Sequence, residues 1–158
     1  MKEIQLIVAA GILGYLLQAM GYILGMQAIA KKRVNLPWFL LVSTVCALMM
    51  YLVRRFGQFN FGVHTMLMLL IMNLLCVLVL KLDIMLSILG SLIVTALIIA
   101  IELLNYSALL LFYAKDVIDL RLEEPLFKAW TAVPGNILLI AVVIILYGIR
   151  IRKGMKKV

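Results

Sequence analysis

Long apolar blocks, each near or beyond the length needed to cross a bilayer, alternate in this chain with short knots of charge, and that alternation dictates its solvent. A transmembrane helix needs about 20 mostly apolar residues, because a hydrocarbon core about 30 Å thick is crossed at 1.5 Å per residue. Five blocks qualify, over residues 4–30, 36–53, 61–80, 84–112 and 133–149. With 66% of 158 residues hydrophobic and 14% charged, a water-soluble globule of this length has too little interior to hide the apolar surface. The expected fold is therefore all-α: an integral membrane helical bundle of five transmembrane helices in a single domain, with an interfacial segment before the last.

The first block carries an A-x-A pattern at Ala28 and Ala30. Its apolar run exceeds that of a secretory signal, and Lys31, Lys32 and Arg33 follow at once, so it reads as a retained helix. The fourth block is about 45 Å long as a helix, so it must tilt, break or emerge. Residues 115–130 mix Asp116, Asp119, Glu123 and Glu124 with apolar residues, Pro125 as a breaker and Trp130 as an anchor, which suits a segment lying on the membrane surface. Pro134 and Gly135 are expected to bend the chain sharply where the last helix restarts.

Five spans place the termini on opposite sides. With the C-terminus inside, the inner face holds nine cations: Lys31, Lys32, Arg33, Lys81, Arg150, Arg152, Lys153, Lys156 and Lys157. The outer face then holds six, Lys2, Arg54, Arg55, Lys115, Arg121 and Lys128, so the bias favours a cell-membrane protein with its N-terminus outside and its C-terminus cytoplasmic. The net charge of +8 is a topology signal plus attraction to anionic lipid, and it calls for no nucleic acid.

This orientation gathers the unusual polar residues at the outer end. Arg54, Arg55, Gln58 and Asn60 form one outer turn, His64 lies one helical turn inside the third block, and Glu102 stands about 27 Å along the fourth. A carboxylate at the bilayer centre costs at least about 2.5 kcal/mol, so Glu102 should have a partner or a task. Taking Ser87 as 0° and about 100° per residue, Ser91 falls at about 40°, Thr95 at about 80°, Glu102 at about 60° and Asn105 at about 0°. A polar stripe of this kind is expected to face other helices or a hydrated cavity. Glu102, His64, Arg54, Arg55 and Asn105 are thus the candidate ligand-binding residues, with a structural ion pair or hydrogen bond for Glu102 equally open.

Gly11, Gly14, Gln18, Gly21 and Gly25 recur at spacings of three and four along the first block. Small residues on one flank let two backbones approach closely, so these five are the candidate helix-packing residues, toward a neighbour in this chain or in a second copy as a homodimer. Asn73 lies about 180° around its helix from His64 and should tie the third span to a neighbour instead. Cys46 and Cys76 fall in apolar blocks, where thiols act as small hydrophobes, and no disulfide is expected. A single histidine makes no metal site, and the sequence implies no cofactor. No H-E-x-x-H, paired intramembrane carboxylates or phosphate-cradling glycine loop is present, so an enzyme is not expected.

The stretches FGVHT at 61–65, LDIMLSILGSLIVTALIIAIELLN at 82–105 and LFKAWTAVPGNILLI at 126–140 resemble, in order and spacing, the amino-terminal multi-pass membrane region of Firmicute sensor histidine kinases of the GHKL class. The matching positions are His64, Glu102, Pro134 and Gly135, with no role assigned by the resemblance. The chain reaches Val158 without a phospho-accepting histidine motif or ATP-binding boxes, so the resemblance implies a two-component partner, a cytoplasmic kinase or response regulator, or a further part of the protein to carry output. The leading expectation is a membrane sensor that detects a stimulus outside and couples it to the cytoplasm. A small transporter or substrate-binding subunit using Glu102 for a cation or proton, and a membrane assembly protein working through the glycine seam, are the alternatives.

Overall fold

The computed structural model describes residues 7–56, 61–113, 117–118 and 124–155, with side-chain surroundings over 13–53, 67–113 and 126–150. Among them the chain is all helical. Helix α1 opens as a π-helix over Ile7–Leu16 and continues as an α-helix over Leu17–Ile29. It is followed by α2 (Leu36–Phe56), α3 (Phe61–Leu78), α4 (Ile84–Phe112) and α5 (Pro125–Met155). Three stretches, Leu36–Val53, Ile84–Phe112 and Leu126–Arg150, are long and apolar enough to cross a membrane, and Leu13–Ile29 and Leu67–Leu78 are shorter apolar helices. Much of the exterior is leucine and isoleucine, including Leu70, Met85, Leu92, Leu103, Leu104, Leu111 and Ile145, a surface suited to lipid.

Local chemistry sets the helix ends. Pro37 sits in the first turn of α2, where its missing N–H costs nothing. Lys31 and Lys81 adopt left-handed backbone conformations, φ 53° and 50°, just past the ends of α1 and α3, and so stop both helices. Asp83 then caps α4, its carboxylate accepting from the Leu86 N–H at 3.1 Å.

Helix α1 is the centre of the bundle. It packs against α2, α4 and α5, while α3 closes the gap between α2 and α4. That explains why α1 is apolar all round rather than on one stripe: Ala19, Tyr22, Ile23, Met26 and Ala28 are all buried. The glycine seam is what admits its neighbours. A Cβ on Gly21 would stand 2.8 Å from Leu139 Cδ2 of α5, and one on Gly25 would stand 2.7 Å from Val94 Cγ2 of α4 and 3.7 Å from Val143 Cγ1 of α5. The fit is reciprocal, since Met26 Sδ lies 3.0 Å from where a Cβ on Gly90 would be. Gly21 and Gly25 therefore make their close approaches to this chain's own helices. Gly11 meets nothing within 4 Å.

Two expectations are corrected. The last helix does not restart at Pro134 and Gly135: α5 runs as one helix from Pro125 to Met155 with Pro134 inside it, so 125–130 forms its first turns, while 115–116 and 119–123 of the expected interfacial segment lie outside the described residues. A proline in a membrane helix is tolerated where a neighbour meets the carbonyls it disturbs. Here Asn105 of α4 donates its Nδ2 to the Thr131 carbonyl at 2.6 Å, next to the Trp130 carbonyl that Pro134 leaves without a helical donor. Glu102 is the second: it is exposed, not turned inward. The buried face of α4 is Ser87, Gly90, Ser91, Val94 and Ile101, and at about 100° per residue Glu102 lies about 75° round from its middle.

Filling the seam should overpack it. Gly25→Leu is expected to cost about 1–3 kcal/mol in denaturant titration in mixed micelles, and Gly11→Ala less than about 0.5 kcal/mol. Equal effects would contradict the packing.

Candidate functional site

Among the described residues, polar side chains at the two ends of the bundle tie one helix to another. At the end bearing the N-terminus of α5, Asn136 is 9% exposed and forks its Nδ2 onto the carbonyls of Leu13 and Gly14, both at 3.1 Å. Those carbonyls belong to the π-helical part of α1, where the wider i→i+5 turn leaves acceptors reachable from the side. Asn105 fixes α4 to α5 through Thr131, as described, and Tyr15 and Tyr51 meet edge to face with centroids 6.3 Å apart, joining α1 to α2. Along this end α5 thus holds α1 with one amide and is held by α4 with another.

Of the candidate ligand-binding residues, only Glu102 and Asn105 have side chains among the described residues, and neither lines the cavity at the basic end. Asn105 is engaged by Thr131, and Glu102 stands on the exposed flank of α4, where it has an interaction of its own. Arg54 and Arg55 lie on the last turn of α2 and His64 on the first turns of α3, but their side chains fall outside the described residues. Of the seam residues, Gly21 and Gly25 make the close approaches, Gly14 offers its carbonyl to Asn136, and Gln18 is half-buried in α1. The expectation for Asn73 holds: Ser87 Oγ donates to Asn73 Oδ1 at 2.9 Å, linking α3 to α4, while Asn73 Nδ2 turns back to the Leu69 carbonyl.

The opposite, basic end carries a second set of ties. Lys32 Nζ donates to the Leu80 carbonyl and, at 3.0 Å, to that of Lys81, so an ammonium from the α1–α2 loop neutralises carbonyls beyond the C-terminus of α3. The Val34 N–H donates to the Tyr147 hydroxyl at 2.9 Å, securing α5 to the same loop. Between these ties opens a cavity of about 600 Å³ lined by Gln27, Lys32, Arg33, Asn35, Trp38 and Lys81, with residues 78–80 as its apolar wall. Gln27 is 2% exposed and its Oε1 meets no donor.

Deeper in the core, Cys46 and Cys76 are free and buried, and the Ser43 hydroxyl lacks a partner. The Tyr22 hydroxyl approaches Ser91, which itself donates to the Ile88 carbonyl, without closing a hydrogen bond. No group of three or more metal-ligating side chains occurs among the described residues. Sequence reasoning passed over Asn136, Tyr147, Lys32 and Gln27. For Asn136 the signal was present, an amide directly after Pro-Gly at the start of an apolar run, which has to find acceptors inside the protein.

Comparison with known proteins found no matching protein family, no similar curated protein and no similar solved structure.

Asn136 holds two carbonyls and Ser87 one side chain. Asn136→Ala is expected to cost about 1–2 kcal/mol and Ser87→Ala about 0.6 kcal/mol, measured by SDS titration in mixed micelles. The reverse ranking would mean that the α1–α5 amide tie is dispensable.

Proposed function

We propose that the chain is a non-enzymatic, five-span membrane sensor or signal-transducing module, its N-terminus outside and its C-terminus in the cytoplasm. It reads a stimulus at its outer face and passes it along α5 to a cytoplasmic kinase or response-regulator partner. The single observation that carries this reading is the continuity of α5. One helix of 31 residues begins at the end where Asn105 and Asn136 bind it to α4 and α1, and finishes in the basic segment at the other. A continuous helix transmits a shift or rotation along its length.

The elements that α5 touches suit such a device. A proline in α5 lies beside a π-helical stretch of α1, and both are segments in which backbone hydrogen bonding has more than one arrangement. At the far end Tyr147 couples α5 to the α1–α2 loop, so motion of α5 is felt by the cationic residues around it. The inner side of the proposed topology carries Lys31, Lys32, Arg33, Lys81 and Arg150, in accord with the positive-inside rule. The exposed position of Glu102 weighs against cation or proton transport, because a coupling carboxylate works from a cavity between helices. The seam at Gly21 and Gly25 is filled by Leu139 and Val94, which weighs against assembly through that surface.

A photocrosslinking residue at position 150 in living cells tests the proposal. It should capture a kinase or response regulator, and Asn136→Leu should change the yield at least about fivefold at unchanged protein level, the lower range of allosteric coupling. No signalling partner, or a yield indifferent to Asn136, would refute it.

A further inference from the structure

The cavity at the basic end is not used by the signalling reading, and its chemistry selects a ligand. We infer that it binds the headgroup of one anionic phosphoglycerol lipid, the phosphate held by the cations and a headgroup hydroxyl donated to Gln27.

Charge comes first. Lys32, Arg33 and Lys81 line the cavity, Arg33 with an interaction of its own. Lys81 follows a helix end in a left-handed turn, so its backbone is fixed beside the opening. The acid nearest in sequence, Asp83, is engaged in capping α4 through the Leu86 N–H. A concave site lined by cations and walled by apolar residues favours an anion, and phosphate oxygens accept from several ammonium and guanidinium donors at once.

Gln27 then narrows the class. Gln27 lines the cavity with its Oε1 buried and without a protein donor, so a turn of the amide toward a bound headgroup would supply the missing donor, whose absence costs about 1–3 kcal/mol. A phosphodiester cannot supply it, nor can a choline headgroup. A glycerol hydroxyl can, on the same ligand whose phosphate answers the cations. An ethanolamine ammonium also donates, but its positive charge opposes the lysines.

The surroundings identify the source as lipid rather than a soluble phosphate. Trp38, half exposed, lines the cavity, and an aromatic side chain of this kind favours the headgroup level of a bilayer. The apolar wall begins at Leu78, 65% exposed, and continues one turn along α3 to the exposed Leu74, a path for acyl chains out of the cavity.

Native mass spectrometry of the full chain in detergent, with an equimolar mixture of phosphatidylglycerol, phosphatidylethanolamine, phosphatidylcholine and phosphatidic acid, tests this. One phosphatidylglycerol should be retained per chain in preference to the other three. Lys81→Gln and Arg33→Gln should each weaken retention about fivefold, the equivalent of about 1 kcal/mol per cation, and Lys81→Arg should restore it. Gln27→Leu should keep the preference over phosphatidylcholine and lose that over phosphatidic acid. Lys32 is left intact because it also ties the α1–α2 loop to the end of α3. Equal retention of phosphatidylcholine, an equal loss on Lys128→Gln at the opposite end, or displacement of the lipid by millimolar inorganic phosphate or glycerol phosphate would overturn the inference.

Discussion

The close approach of α4 and α5 to α1 is the contact on which the remaining arrangement depends. In lipid no hydrophobic drive pulls helices together, and association rests on van der Waals packing and interhelical hydrogen bonds. Gly21 and Gly25 let Leu139 and Val94 sit where side chains would otherwise stand, and Gly90 does the same for Met26. With α1 enclosed in this way, the buried cluster of Tyr22, Ile23, Met26, Val42, Cys46 and Cys76 forms around it from α2 and α3. A smaller cluster of Ile101, Leu139 and Val143 joins α4 to α5.

Once the helices are that close, their polar groups can reach one another, and the ties follow a circuit. Asn136 joins α5 to α1, Asn105 joins α4 to α5, Ser87 and Asn73 join α4 to α3, and Lys32 returns from the α1–α2 loop to the end of α3. Each such bond is worth about 0.6 kcal/mol on average, so they contribute register more than bulk stability. Their placement matters most around Pro134. By binding the Thr131 carbonyl, Asn105 fixes α4 to α5 in the turn before Pro134, which stands inside a continuous helix, and that continuity makes α5 a candidate transmitter.

Much of this was legible in the residues. Block lengths gave the helices, and the glycine spacing marked the face of α1 that α4 and α5 approach. The opposition of Asn73 to His64 correctly sent Asn73 to a neighbouring helix. What failed did so for physical reasons. Glu102 shares a flank with Ser91 and Thr95, but the buried arc of α4 is centred nearer Val94, and the difference between a flank and a centre is settled only by where α1 and α5 lie. Pro134 and Gly135 read as a break because local propensity disfavours proline in a helix, whereas the contact that holds this turn against α4 comes from Asn105, some thirty positions earlier. Gln27 and Lys32 carry no local signature at all: each gains meaning only when the end of α3 folds back beside them.

The central claim is that the seam of α1 is filled from within the same chain. Cysteine crosslinking in intact membranes measures this directly, with Gly25→Cys and Val94→Cys introduced after Cys46 and Cys76 are replaced by alanine. The account predicts rapid oxidation to an intramolecular disulfide, seen as a monomer of altered mobility, with Gly11→Cys unreactive toward the same partner. A disulfide-linked dimer, or no bond between positions 25 and 94, would contradict it.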